Sequence, residues 1–205
     1  KFPTVMQDMA MVVDATVHDG LWCAFQNWHM GMAAEFIAKE FDITRQMQDE
    51  FALASHQKAV EAINCGWVGD EIARVELPQR KGPRLVFNPA EAPRADSTLE
   101  ALAKLKPAFQ PDGGTVTAGN APGITDGAAA LVLMGDDAAE KAGVKPLARI
   151  AGYAQGAVEP KWIFYAPVLA IRNLLLKTGT TLADYDLFEI NEAFAAQVLA
   201  DGKEL

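Results

Sequence analysis

From Gly114 onward the chain alternates between apolar runs and short helical patterns, and this constrains its fold more than any other feature. GTVTAGNAPGITDGAAALVLM, residues 114–134, packs four glycines into a run ending in a continuous apolar stretch, Ala128 to Met134, which reads as a buried strand. DDAAEKAG follows as a short helix with its glycine stop, and PLARIAGYAQGAV as a long strand. A helix over about 167–178 ends at Gly179, Asp186 to Ile190 forms a short strand, and Glu192 to Leu199 forms a helix. Strands alternating with helices predict an α/β layered domain.

The upstream part has a different character. Residues 5–19 carry apolar positions at helical intervals up to Gly20, and MGMAAEFIAKEFD, residues 30–42, is a second helical pattern with Ala33, Ala34, Phe36, Ile37 and Phe41 on its apolar side. Thr44 is a natural N-cap for a helix from about Arg45 to Cys65, closed by Gly66. EIARVELP and RLVFN, residues 71–78 and 84–88, read as a hairpin around QRKGP, and NPAEAPRAD as a loop. Residues 98–105 are helical and Pro107 ends them. This helix-rich segment resembles an insertion more than a second nucleotide-binding unit.

Composition removes several function classes. The 205 residues are 50% hydrophobic, enough for a sizeable core. A formal net charge of −9 argues against nucleic acid or an anionic membrane as partner. No apolar run is long enough to span a bilayer, and two cysteines, Cys23 and Cys65, make no disulfide framework. The expectation is a soluble, cytoplasmic globular protein. KFPTVMQ at one end and ADGKEL at the other both read as cuts, so the expectation is a segment of a longer chain.

Each candidate site has a structural reading beside its chemical one. Gly119, Gly123 and Gly127 match no dinucleotide or phosphate-loop spacing, and their loop reads as a tight connection whose amides could also meet a ligand. Cys23, with His18 and His29 five and six residues away, has the wrong spacing for zinc, and Cys65 lies at a helix end where the dipole opposes thiolate formation. His56 falls on a charged helix and reads as solvated. His29, after the aromatic cluster Trp22, Phe25 and Trp28, is either a satisfied structural histidine or a pocket residue. Arg74 to Lys106 holds seven Lys or Arg against four Asp or Glu, a local reversal suited to a phosphate or to a solvated face. Asn191 follows directly on the expected strand DLFEI. It is either the N-cap of the next helix or an amide aimed at an oxyanion, with Glu192 placed against the helix dipole.

Three stretches together resemble the thiolase family: HMGMAAE at 29–35 with RQMQDEFALASHQKA after it, GTVTAGNAPGITDGAAALVLM at 114–134, and NEAFAAQ at 191–197. DGLWCAF, DEIARVE, RADSTLEALAKLKPAF and LARIAGYAQGAV fall between them where the family has similar sequence. The resemblance implies two similar α/β halves in α-β-α-β-α layers, incomplete here, with a helix-rich loop domain inserted in the first half. Residues 1–120 would be the loop domain and its return, 121–145 the end of the N-terminal half, and 146–205 the start of the C-terminal half. It further implies thiolysis or Claisen condensation of a 3-ketoacyl-CoA such as acetoacetyl-CoA, coenzyme A thioesters as substrates and no tightly bound cofactor. The assembly would be a homodimer or homotetramer, without nucleic acid or membrane.

The family's nucleophilic C-x-S-G, its G-H-P-x-G-x-S-G and its C-x-G-G-G-x-G are not among these residues, so the chain alone would be inactive. Residue by residue, Asn191 matches the asparagine that holds a water in an oxyanion hole, and Phe194 matches a residue lining the catalytic cavity. His29 and Met30 match the pair near the pantetheine thiol, and Leu21, Phe109, Ala118 and Ala121 match further pantetheine contacts. Arg94 matches a basic residue near the adenine and phosphates. Pro122 replaces a common serine, and KWIFYAP at 161–167 replaces M-G-x-G-P, adding bulk near the acyl pocket and implying a different subfamily or altered chain-length preference. A non-catalytic CoA- or lipid-binding relative is the alternative function. A ketoacyl synthase is disfavoured, because NEAF at this place is a thiolase trait.

Overall fold

A computed structural model describes residues 12–87 and 90–205. A hairpin of two-residue strands, β1 (Trp22–Cys23) and β2 (Trp28–His29), leads into helix α1 (Met30–Glu40) and then helix α2 (Arg45–Asn64). Thr44 caps α2 as expected, its side chain accepting from the Met47 N–H at 3.2 Å, and Gly66 beyond its end sits at φ 74. The hairpin β3 (Val75–Leu77) and β4 (Leu85–Phe87) pairs antiparallel with Val75 opposite Phe87, as its sequence predicts, although Asn88 lies outside the described residues. Short helices α3 (Leu99–Ala103) and α4 (Asp136–Ala142) follow, then α5 (Ala166–Thr178) and α6 (Ala195–Glu204). Gly143 and Gly179 end α4 and α5 in the left-handed conformation.

Long-range packing starts with small side chains. Ala33, Ala34, Ile37 and Ala38 bury one face of α1, and Ala196 and Ala200 bury one face of α6. These alanines let the two helices approach closely, so the last helix returns against the first. Ile37, Ala38, Ile43, Ala196 and Ala200 form one core, ringed by Phe41, Met47, Trp162, Tyr165 and Leu199. Burying Ile37 alone contributes about 2–3 kcal/mol.

Several expectations need correction. Residues 5–11 of the expected 5–19 helix lie outside the described residues, and in the remainder Thr16–Gly20 forms a single π-helical turn. Ala128 to Met134 is not a buried strand: Leu131 and Val132 are each 86% exposed. Neither that segment, nor 146–158, nor Asp186–Ile190 pairs with another strand among the described residues. A strand needs a neighbour to take its N–H and C=O groups, and sequence pattern reports only its faces. The pattern in 151–158 is real: alternate residues are half-buried against α5, where Asn173 Nδ2 donates to the Gln155 carbonyl at 2.9 Å and Lys177 Nζ to that of Tyr153 at 2.9 Å. α6 begins at Ala195, not Glu192, and its N-cap position is Phe194. Asn191 is therefore not an N-cap, and Glu192 lies outside the first turn, accepting from Ser55 Oγ at 2.7 Å. His56 is not simply solvated, since its Nδ1 accepts from the Arg94 N–H at 3.3 Å.

The buried face of α6 also carries Gln197 and Asp201. Gln197 Nε2 donates to Asp201 Oδ2, while Gln197 Oε1 and Asp201 Oδ1 have no partner among the described residues. Burial pushes the Asp201 carboxyl up from 3.8 to about 6, against the opposing pull of the Gln197 bond. Between 3.8 and about 6 the folded chain keeps a proton that the unfolded chain has released. The resulting stability is complete below that window and is lost as pH rises through it. Thermal midpoints measured across this range are expected to fall for wild type relative to Asp201→Asn, whose neutral amide removes that component of the slope. Parallel curves would refute the assignment.

Candidate functional site

The site is assembled around four aromatic rings. The β1–β2 hairpin carries His29 to the head of α1, and the Met30 N–H closes it by donating to the Leu21 carbonyl at 2.8 Å. His29 caps α1, its Nδ1 accepting from the Gly31 N–H at 3.0 Å. That bond leaves the proton of a neutral ring on Nε2, and burial lowers the pKa to favour the neutral form. The imidazole stacks on Phe109 at 4.7 Å between centroids, 24° from parallel. Gly31 permits this, because a Cβ there would collide with the Phe109 ring.

Phe109 meets Phe194 edge-on at 6.3 Å, and Phe194 meets Phe164 edge-on at 5.3 Å. Ala34, Val116 and Phe194 form the buried centre of this cluster, with Phe109, Ala121, Phe164 and Ala193 packed around it. Four segments distant in sequence thus form one apolar wall, and His29 supplies its polar edge.

The glycine loop is held to the helices by buried polar groups. Glu35, on the buried face of α1, accepts from the Thr115 N–H at 2.8 Å, Thr115 Oγ1 at 2.9 Å and the Val116 N–H at 2.9 Å. Gln48 Nε2 donates to Thr115 Oγ1 at 2.9 Å. Asn120 donates through Nδ2 to Asp49 Oδ1 at 2.9 Å and to the Thr115 carbonyl at 3.1 Å, and its Oδ1 accepts from the Thr117 N–H at 2.7 Å. Arg45 Nε donates to Asp49 Oδ2 at 2.8 Å, and Arg45 Nη2 to the carbonyls of Leu102 at 2.6 Å and Leu105 at 3.1 Å. A Cβ on Gly119 would run into Leu102 and Leu105, so this glycine permits close approach to the protein's own α3 region.

The structure brings His29, Phe109, Ala121 and Phe194 together, with Leu21 and Met30 joined to them by backbone. Ala118 is exposed on the loop beside Asn120. Asn191 is exposed three residues before Phe194, its carbonyl accepting from the Ala193 N–H at 2.9 Å. Its amide makes no hydrogen bond among the described residues. Arg94 stands elsewhere, in a cleft of about 310 Å³ with Gln57, Glu61, Cys65 and Ser97 along the end of α2. Cys23 is buried, with its Sγ accepting from the Gln26 N–H at 3.4 Å, and Cys65 is exposed at the C-cap of α2. Among the described residues no cluster of His, Cys, Asp and Glu could hold a metal ion, and no helix is long and apolar enough to cross a membrane.

Glu35, Arg45, Gln48, Asp49 and Asn120 escape a reading of the sequence by motif. One signal was present: Glu35 interrupts the apolar face of α1 with a carboxylate, which needs internal donors if that face is buried. Phe164 lies in the KWIFYAP stretch expected to add bulk near the acyl pocket, and its contact with Phe194 brings it into the wall.

Residues 2–137 match the thiolase N-terminal domain and residues 144–205 the thiolase C-terminal domain. Over 196 residues the chain is 53% identical to an acetyl-CoA acetyltransferase of Pseudomonas aeruginosa, covering 96% of this chain and 50% of that one. Over 194 residues it is 54% identical to an acetyl-CoA acetyltransferase of Escherichia coli K12, covering 95% and 49%. The crystal structure of the Bacillus anthracis acetyl-CoA acetyltransferase superimposes with a TM-score of 0.87 at 45% identity, covering 100% of this chain and 51% of that one. Human mitochondrial 3-ketoacyl-CoA thiolase superimposes with a TM-score of 0.88 at 38% identity, covering 98% and 50%. The chain spans about half the length of the curated relatives it matches.

Proposed function

Because the chain belongs to the thiolase family and carries part of its α/β fold, we propose that it is part of an acetyl-CoA C-acetyltransferase acting on 3-ketoacyl-CoA thioesters such as acetoacetyl-CoA. The observation that carries this reading is the convergence of HMG, TAGNA and NEAF on one wall, His29–Phe109–Phe194 with Ala121 beside it. Identity near 50% to acetyl-CoA acetyltransferases through both domains supports the acetyl-transfer assignment.

In this reading a cysteine nucleophile from a segment outside these residues takes the acyl group, and a second cysteine moves the proton at Cα. The present residues supply the frame. The Asn191 amide orients a water toward the thioester oxygen, and Phe194 shapes the cavity behind it. A neutral His29 offers its Nε2–H at the pantetheine end, where Met30, Leu21, Phe109, Ala118 and Ala121 form the channel. Arg94 serves the adenine and phosphates from its separate cleft. Residues 1–120 act as the loop domain and its return, 121–145 close the N-terminal half and 146–205 open the C-terminal half. The intact enzyme works in the cytoplasm, in fatty acid metabolism, as a homodimer or homotetramer with no tightly bound cofactor. These residues alone are inactive.

The test is a CoA-dependent cleavage assay of acetoacetyl-CoA on the intact protein encoded by the complete reading frame. Turnover that releases two equivalents of acetyl-CoA is the expected result. A protein that binds CoA but neither cleaves nor forms acetoacetyl-CoA would be a non-catalytic CoA-binding relative, and the reading would fall.

A further inference from the structure

Asn120 joins more of the site than any residue the family resemblance singles out. Its side chain is 4% exposed and reaches Asp49 on α2, the Thr115 carbonyl and the Thr117 N–H. Its own carbonyl accepts from the Ala195 N–H at 3.1 Å. Ala195 is the first residue of α6, and Phe194 before it offers no side-chain cap, so Asn120 satisfies a donor the helix leaves open. Ala118 and Ala121 flank Asn120 on one side of this junction, and Phe194 stands on the other. Asp49 is itself anchored by Arg45, whose guanidinium also holds the end of α3 through two carbonyls. The loop therefore meets the start of α6 through the Asn120 backbone carbonyl, while the Asn120 side-chain amide ties that same residue to Asp49 on α2.

We infer that Asn120, held by Asp49, is a positioning residue that sets the distance between the Ala118–Ala121 loop and Phe194, and thereby the affinity of the site for the pantetheine arm of a CoA thioester. The inference rests on the thiolase reading for the identity of that ligand. Asn120 itself touches no substrate and acts through its neighbours.

The bond is directional, which makes it testable. Asn120→Asp places a second carboxylate against Asp49 with little water to screen the pair, and the loop is pushed outward. Asp49→Asn with Asn120→Asp restores one donor and one acceptor across the same gap. Thr117 keeps its acceptor and Arg45 keeps an oxygen to donate to, at the cost of the donor to the Thr115 carbonyl. In the intact protein, at a temperature where circular dichroism shows every variant folded, Asn120→Asp is expected to raise KM for CoA on the order of 10-fold. The swap is expected to return KM to within about 3-fold of wild type. A merely structural role would lower the thermal midpoint and leave KM unchanged, and that result overturns the inference. So does a swap that recovers the midpoint but not KM.

Should Asn120→Asp fail to fold, the swap decides: a folded swap with near-native KM supports the inference, and an unfolded one or a raised KM overturns it. Calorimetric Kd for CoA on the same variants gives an arm that needs no turnover. An intact protein inactive in thiolysis but showing this pattern in Kd would refute the catalytic reading and keep the positioning role.

Discussion

Asn191→Ala in the intact enzyme is expected to lower kcat on the order of 10²-fold, the loss typical of one oxyanion-hole contact, with the thermal midpoint unchanged. The two readouts separate because of where Asn191 lies. It is exposed in the segment before α6, and the helix begins at Ala195 without using its side chain. Removing the amide leaves no helix donor unpaired, so a structural account predicts almost no effect of any kind. The backbone around it is held independently, by the Ala193 N–H on the Asn191 carbonyl, by Ser55 Oγ on Glu192 and by burial of Phe194. A group offered on a fixed backbone costs no reorganisation when charge develops on the thioester oxygen. Steady-state kinetics beside a thermal melt check this, and an unchanged kcat would remove Asn191 from the chemistry.

The second large effect falls on stability. Glu35→Ala is expected to destabilise the fold by about 3–5 kcal/mol, since it strips the acceptor from two backbone N–H groups and one hydroxyl in a buried place. Glu35→Gln keeps one oxygen but turns an amide donor toward N–H groups that also donate, so it should fall between wild type and alanine. Urea unfolding of the three proteins measures the order. A loss below about 1 kcal/mol for alanine would mean that the Thr115–Val116 amides find water instead. The consequence for function is direct, because those amides begin the loop carrying Ala118, Asn120 and Ala121.

What the residues of this chain reveal before folding follows the range of each interaction. Thr44 and Gly66 around α2, Gly143 after α4 and Gly179 after α5 are legible because capping is settled within one turn of chain. The β3–β4 hairpin is legible for the same reason, its partner lying a few residues away across a turn. The strand expected over Ala128–Met134 fails because apolar continuity says that a segment can be buried, not what lies beside it. Over 151–158 the period of two correctly marks the face that rests on α5, yet supplies no ladder. The expected helix start at Glu192 fails on a tertiary detail: the first α6 N–H is taken by the Asn120 carbonyl, 75 residues away in the chain by their numbers in the sequence. His29 shows both readings at once, since it caps α1 through Nδ1 while its ring joins the site wall by stacking on Phe109.

Three motifs in order identify the family of this chain from its residues alone, and local hydrogen bonds make several helix boundaries legible in the same way. That Glu35 and Asn120 clamp the glycine loop emerges only from the folded chain. Their partners, Thr115 for one and Asp49 for the other, are 80 and 71 residues distant, and no local periodicity encodes a contact at that range. A buried carboxylate or amide is tolerated only where its hydrogen bonds are met, and where they are met is a property of the folded chain.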